Sequence, residues 1–157
     1  MTQASQHLSA HPFVAEFGPE YKARLAGMAK QVRFAVDQVI FREGDDHSVL
    51  YLLEEGMVAI ELEVPGHVLR VQTLHDGDIF DWSALLPHAG KHFQARALEP
   101  VTALAFQGEE LLASFKSDPQ FGLVFMLRLM GVVSERLSGT RMRLLDMYSP
   151  VAKRAGT

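Results

Sequence analysis

The residues with the clearest capacity for chemistry lie in the stretch GDIFDWSALLP, which begins at Gly77 and ends at Pro87. Gly77 opens a turn, and the short apolar segment WSALL after it is typical of a small helix. The first backbone amides of a helix that follows a glycine turn converge and attract anions. This stretch therefore predicts an anion-binding turn, although Asp81 and Trp82 bring negative charge and bulk to the same place.

Histidines are the candidate metal ligands, because the sequence contains no cysteine. Its seven histidines include no His-x-His pair, and a pair with the shortest spacing present, four residues, is His88 and His92 in HAGKH. A spacing of four residues would place both on one side of a helix, but Pro87 and Gly90 favour a loop. We expect solvent-facing loop histidines and no metal site.

A nucleophilic serine is the other catalytic candidate, since Ser83 has Asp81 and His75 near it in the sequence. Proximity along a chain does not make a triad, and a serine at the start of a helix usually caps it. The sequence also contains no nucleophile elbow, phosphate loop or dinucleotide fingerprint. We therefore expect Ser83 to be a cap and the protein not to be an enzyme.

The composition is that of a single soluble domain. The 157 residues are 48% hydrophobic and 22% charged, which suits one compact core and differs from a disordered chain. The absence of cysteine is compatible with a reducing cytoplasm, and we see neither a signal peptide nor a membrane span. Residues 1–120 carry nine Lys/Arg against seventeen Asp/Glu, whereas residues 121–157 carry six against two. We expect the basic third to be a solvated helix face.

Short apolar segments separated by turn residues follow a predicted helix in GPEYKARLAGMAK. Gly44 and Gly56 occupy two of these turns. Several short strands at near-regular spacing predict an antiparallel β jelly-roll barrel, so the fold class is mainly β with flanking helices. The strand segments are VRFAVDQVIFREG, SVLYLLEEG, MVAIELEV, HVLRVQTLHDGD and ARALEPVTALAF.

A long helix follows at the sequence SDPQ, where Ser/Asp caps and a proline are typical of a helix start. Apolar positions in it alternate at intervals of four and three, which is the spacing of a coiled-coil seam and predicts parallel homodimerisation. A second stripe faces another direction and would pack on the barrel. The seam is Met126, Met130, Val133, Leu137, Thr140, Leu144 and Met147, and the stripe is Phe125, Leu129 and Val132.

Taken together, VIFREGDDHSVLYLLEEGMVAIE, GDIFDWSALL and ARALEPVTALAF resemble the cyclic nucleotide-binding domain family. The chain is especially similar to the sensor half of bacterial regulators of the catabolite-activator and Fnr type. The resemblance covers roughly residues 11–148. It implies the jelly-roll fold, with an N-terminal helix and a long C-terminal helix.

The resemblance also implies a pocket. In the family the turn is Phe-Gly-Glu-x-Ala-Leu, where the acid holds the ribose, the amides hold the cyclic phosphate and an arginine neutralises it. Here the arginine's place falls on Lys91, and the base-contacting position of the long helix falls on Thr140, beside Arg141. The candidate pocket is Gly77, Phe80, Asp81, Trp82, Ser83, Ala84, Lys91, His92 and Thr140.

Three of these positions depart from the family pattern. Trp82 replaces the acid and has only a hydrogen-bond donor, so it cannot accept a bond from a sugar hydroxyl. Asp81 replaces the glycine and adds negative charge beside a phosphate site. Lys91 keeps a cation but lacks the fork of an arginine. We therefore expect weak or no binding of cyclic AMP or cyclic GMP.

These observations predict a stand-alone, non-catalytic sensor or regulatory domain with a diverged pocket, acting in the cytoplasm as a homodimer with a protein partner. We expect no cofactor, no membrane association and no DNA-binding element before Thr157. The alternatives are a functional receptor for cyclic AMP or cyclic GMP and a cupin-type metalloenzyme. The predicted divisions are an N-terminal segment 1–18, a sensor domain 19–120, a dimerisation helix 121–148 and a tail 149–157.

Overall fold

A computed structural model describes residues 3–46, 48–86 and 91–155, and in this part of the chain there are eight strands and four α-helices. The strands are β1 Lys30–Phe34, β2 Val39–Phe41, β3 Val49–Glu55, β4 Val58–Val64, β5 His67–Leu74, β6 Ile79–Phe80, β7 Gln94–Ala97 and β8 Val101–Gln107. The α-helices are α1 Gln3–Ala10, α2 Pro19–Met28, α3 Gly108–Ser117 and α4 Pro119–Ala155, and two short 3₁₀ helices span Pro12–Val14 and Trp82–Leu85.

The strands form two antiparallel sheets of four. One has the order β1-β8-β3-β6 and the other the order β2-β7-β4-β5. Among the described residues no strand pairs across the two sheets, so the predicted jelly roll is an open sandwich and not a closed barrel. The mainly β fold class with flanking helices is confirmed.

Strand β3 shows why the core has two parts. Its side chains alternate, so Leu50 and Leu52 face the helices while Tyr51 and Leu53 face the space between the sheets. All four are nearly inaccessible to solvent, because both faces of this strand are covered. The site described below is therefore carried on a sheet that is held on both sides.

The first strand segment differs from its prediction. The pattern of VRFAVDQVIF predicts one strand segment, but β1 and β2 within it belong to different sheets. The chain turns between them at Asp37, which has a φ of +66° and donates its backbone N–H to Ala97 O at 2.8 Å. Aspartate is one of the few residues besides glycine that adopts this conformation readily. The turn therefore needs no glycine, and the apolar run around Asp37 gives no sign of it in the sequence.

Residues 3–18 are part of the folded unit. Leu8 of α1 and Phe13 of the 3₁₀ helix are buried in the core cluster beneath α4. His11 joins this segment to β3, because its Nδ1 accepts from Phe13 N at 3.1 Å and its Nε2 donates to Leu53 O at 2.9 Å. Burial lowers the pKa of His11, which favours this neutral form.

Helix α4 begins where the sequence predicts, since Asp118 accepts a hydrogen bond from Phe121 N at 3.3 Å and Pro119 is the first helical residue. The predicted packing stripe is confirmed, with Phe125 and Leu129 buried and Val132 packed beside them. Val133, assigned to the seam, also contacts this cluster. No helix among the described residues combines the length and apolar character needed to cross a bilayer.

Candidate ligand-binding site

The turn after β6 is held in an uncommon backbone conformation at Asp81. This residue has φ 66° and ψ 40°, the left-handed region, and precedes the 3₁₀ helix Trp82–Leu85. Glycine enters this region without steric cost, whereas aspartate is one of the side chains that tolerate it. The change from the family's glycine to Asp81 therefore preserves the turn and adds a carboxylate to it.

That carboxylate forms an ion pair with Lys91. Lys91 Nζ donates to Asp81 Oδ1 and, at 2.8 Å, to Ser83 Oγ, while Ser83 Oγ donates to Asp81 Oδ1 at 3.0 Å. The Lys91 and Asp81 side chains are only 3% and 2% exposed. The cation in the place of the family's arginine is thus neutralised by the protein itself.

The same burial acts on the charge of Asp81. Loss of solvent raises the pKa of Asp81 to about 6, while the hydrogen bonds from Lys91 and Ser83 oppose this rise. Its second oxygen, Oδ2, is buried without a hydrogen-bond partner among the described residues. The negative charge of Asp81 is therefore stabilised mainly by Lys91, through one of the two carboxylate oxygens.

Ser83 does not cap the small helix as predicted. The capping position belongs to Asp81, whose side chain makes no capping hydrogen bond, and the Ser83 hydroxyl is instead bonded to the Asp81 and Lys91 side chains. The reason is that Lys91, ten residues away in sequence, reaches this turn in space.

Trp82 faces a cation on α4. The guanidinium carbon of Arg136 lies 4.7 Å from the centre of the Trp82 ring, which is within the range of a cation–π contact. Arg136 also donates to Ile79 O of β6. Burial lowers the pKa of the Arg136 guanidinium. The residue that replaces the family's acid therefore connects the turn to the long helix.

A cavity of about 600 Å³ lies between the turn, the second sheet and α4, and its lining is mainly apolar. Seven of the nine predicted pocket residues line it; the exceptions are Gly77 and Ala84. Gly77 borders a smaller cavity beside His11, and Ala84 is buried in the core cluster. The predicted residues at the cavity are Phe80, Asp81, Trp82, Ser83, Lys91, His92 and Thr140.

Thr140 and His92 are both exposed at the cavity wall. The Thr140 hydroxyl donates to Arg136 O at 3.0 Å, so its proton is engaged in a hydrogen bond within α4. His88, the other histidine of the HAGKH pair, lies outside the described residues. In the described part of the chain, no three His, Asp or Glu side chains are grouped so that they could hold a metal ion.

Two arginines of the lining, Arg136 and Arg143, were not predicted from the sequence. They precede and follow Thr140 by four and three residues, so helical spacing places all three on one face. That spacing was a usable signal, whereas Arg141, the direct neighbour of Thr140, does not line the cavity. The apolar residues missed lie on other segments that only the fold brings together: Phe41, Ile60, Val71, Leu86 and Phe93.

The two-sheet sandwich, the turn after β6 and the long final helix together define a cyclic nucleotide-binding domain. A model of the family described as cyclic nucleotide-binding domain matches residues 31–118, and the chain belongs to this family.

Individual relatives agree with this assignment. The chain is similar to a candidate cyclic nucleotide-binding protein of Geobacter metallireducens GS-15, with 26% identity and a TM-score of 0.76 over 87% of this chain and 99% of that one. It shares the fold of the catabolite activator protein of Thermus thermophilus, with 24% identity and a TM-score of 0.70 over 88% of this chain and 63% of that one.

One curated relative is an enzyme, the cAMP/cGMP-dependent 3',5'-cAMP/cGMP phosphodiesterase B of Dictyostelium discoideum. It is 29% identical over 111 residues, which make up 65% of this chain but 10% of that protein. The chain therefore spans about a tenth of the length of this relative, and the similarity concerns a small part of the enzyme.

Proposed function

We propose that this chain is a non-catalytic sensor or regulatory domain of the cyclic nucleotide-binding family whose pocket has diverged, so that it binds cyclic AMP and cyclic GMP weakly or not at all. The observation that carries the proposal is the buried ion pair between Asp81 and Lys91. The Asp81 carboxylate neutralises Lys91. Lys91 stands where the family has the arginine that neutralises the cyclic phosphate.

A cyclic phosphate would meet two obstacles at this turn. It would have to displace Asp81 from Lys91, and it would then lie beside a buried carboxylate of the same charge sign. Separating a buried ion pair by removing one partner costs several kcal/mol, on the order of 3–5. The amides and Lys91 would have to supply that energy in addition to the affinity itself.

The ribose end of a nucleotide loses its partner as well. Trp82 offers one donor and no acceptor, and its ring is already covered by Arg136. The polar side chains of the turn are engaged in the ion pair of Asp81 with Lys91 and in the hydrogen bonds of that pair with Ser83. This arrangement suits a binding domain better than an enzyme.

Dimerisation through α4 is part of the proposal. Five of the seven predicted seam residues are large apolar side chains that remain exposed: Met126, Met130, Leu137, Leu144 and Met147. Exposed apolar residues repeated along one helix face are typical of an interface with another helix. Because Arg136 joins α4 to Trp82, a ligand in the cavity would change how the helix lies on the sandwich, and a partner protein could detect this change.

A functional receptor for cyclic AMP or cyclic GMP is the second candidate, and membership of the family favours it. Lys91 and Thr140 would then be its remaining polar contacts. Calorimetry with cyclic AMP, cyclic GMP and cyclic dinucleotides separates the two functions, and metal analysis of the purified protein tests the cupin-type alternative. Weak or absent binding and a metal-free protein are the expected results, whereas micromolar binding of a cyclic mononucleotide would establish the receptor.

A further inference from the structure

Two arginines of α4 line the cavity without a carboxylate partner. Arg136 and Arg143 are seven residues apart, so they lie two turns from each other on the same helix face. No ion pair forms at either of them among the described residues. By contrast, Arg24 pairs with Asp118 and Arg96 pairs with Glu61.

The surroundings of Arg136 leave its charge poorly compensated, because the one carboxylate that acts on it, that of Asp78, forms no ion pair with it among the described residues. Its guanidinium is half-buried, stacked on Trp82 and bonded to one backbone carbonyl, that of Ile79. A cation removed from water is stabilised far more by an anion than by a neutral carbonyl. Arg143 is exposed and donates, at 3.5 Å, only to Thr140 Oγ1. Donors of both guanidinium groups are thus free to take an acidic group.

The opposite side of the cavity is apolar and aromatic. Phe41 and Phe80 come from two different sheets, Phe93 precedes β7, and Ile60 and Val71 belong to the β4–β5 hairpin. A cavity of about 600 Å³ with such a lining is of the size that takes a small organic molecule. The charged groups nearest this wall, Asp81 and Lys91, neutralise each other.

We propose that the cavity binds an aromatic carboxylic acid, with its carboxylate against Arg136 and Arg143 and its ring among Phe41, Phe80 and Phe93. This inference rests on the proposed function, since it names the ligand class that the diverged pocket takes. The anion would lie at α4, whereas the family's phosphate lies at the turn. Binding would join α4 to both sheets, which gives the ligand a direct effect on the helix proposed to form the dimer.

Calorimetric titration of the full chain with matched acids and amides tests this proposal. The acids are 3-phenylpropionate and 2-naphthoate, and the controls are 3-phenylpropanamide and 2-naphthamide, which keep the ring and lose the charge. We expect each acid to bind at least about tenfold more tightly than its amide, as one charge-assisted contact provides. Arg143→Gln should weaken the acids by about tenfold and leave the amides unchanged.

Two further variants are controls for misfolding and for general effects of charge. Arg136→Lys keeps the cation at the buried position, so it should fold and bind the acids more weakly than the wild type because it lacks the fork. Arg141→Gln removes the same charge from α4 but not from the cavity, and should bind like the wild type.

The proposal is overturned if both acids bind no better than their amides, if neither acid binds at millimolar concentration, or if Arg143→Gln and Arg136→Lys bind like the wild type. Cyclic AMP is titrated in the same series. Tight binding of cyclic AMP would refute the proposed function. If neither the acids nor cyclic AMP bind, only the present inference is refuted.

Discussion

At the scale of single residues, two of the three departures from the family pattern, Asp81 and Lys91, compensate each other. Asp81 would be a buried unpaired carboxylate without Lys91, and Lys91 would be a buried unpaired cation without Asp81. Trp82 fills the place of the family's acid and provides a surface for Arg136. Asp81→Gly alone would therefore leave Lys91 as a buried cation without its partner.

The charge of Asp81 gives the stability of the protein a characteristic pH dependence. Its pKa is raised from 3.8 to about 6 by burial, so folding favours the protonated form. This contribution to stability is fully present below pH 3.8 and is lost as the pH rises through about 6. Two pKa units correspond to about 3 kcal/mol, an upper value for a paired group.

Asp81→Asn removes this titration and keeps the shape of the side chain. We expect the free energy of unfolding of the wild type, minus that of the variant, to decrease by up to about 3 kcal/mol between pH 4 and pH 7. Urea titrations across this range measure it, and the subtraction cancels the other carboxylates. A difference that increases with pH would mean that Lys91 stabilises the anion more than burial destabilises it.

At the scale of elements, helix α4 serves two different surfaces. Its first half is fixed to the core by Phe121, Phe125 and Leu129, whereas apolar side chains of its second half are exposed, including Leu137 and Leu144. The packed half determines where the helix starts and how it lies on the sandwich, while Leu137 and Leu144 remain exposed. That geometry suits an interface between two copies.

Leu137→Glu tests the interface. Leu137 is 51% exposed in one copy, so the change should not disturb the fold, but in a dimer it would place a carboxylate in the seam. We expect the dimer dissociation constant to rise by at least about tenfold. Sedimentation at matched concentrations measures this, with Met142→Glu as the control, because Met142 is also exposed and lies on the opposite side of the helix. A monomeric wild type at tens of micromolar would contradict the interface.

The start of α3 supports the turn from behind. A Cβ at Gly108 would lie 2.2 Å from Ala84 O, a backbone atom of the 3₁₀ helix that carries Trp82. Gly108→Ala should therefore shift this helix and lower the free energy of unfolding by about 1–3 kcal/mol. In Gly131→Ala, on α4, a Cβ meets nothing within 4 Å, and it should be neutral or stabilising by up to about 1 kcal/mol. Equal effects of the two changes in urea titrations would contradict this packing.

At the scale of the whole molecule, the sequence predicted the parts whose pattern is local. Strands such as β3 and β4 lie between clear turn residues, and α4 starts at a recognisable Asp-Pro pair, so both were located correctly. Helix α1 was missed because Leu8 is its only buried residue and gives no periodic pattern. The sequence did not distinguish an open sandwich from a barrel, because pairing between strands that are distant in the chain produces no local sequence pattern.

The features of the site also divide into those that the local sequence predicted and those that depend on the fold. The residues of the turn were predicted because the motif is contiguous, and Lys91 was found by its distance from Arg96. The ion pair between Asp81 and Lys91 was not predicted, since it requires β6 and the segment before β7 to lie side by side. Arg136 reaches Trp82 across 54 positions of sequence, a contact that only the packing of α4 on the sandwich creates.

In the proposed function, the Asp81 carboxylate closes the phosphate site to cyclic nucleotides by pairing with Lys91. Calorimetric titration with cyclic AMP, of the wild type and of the triple variant Asp81→Gly, Trp82→Glu, Lys91→Arg, tests it most directly. The changes restore the turn glycine, the ribose acceptor and the forked cation, and each new charged contact contributes on the order of 1.5–3 kcal/mol. We expect no tight binding by the wild type and clear binding by the triple variant, above that of Trp82→Glu alone. Micromolar binding by the wild type would contradict the account, because Lys91 and the turn amides would then suffice while Asp81 is in place.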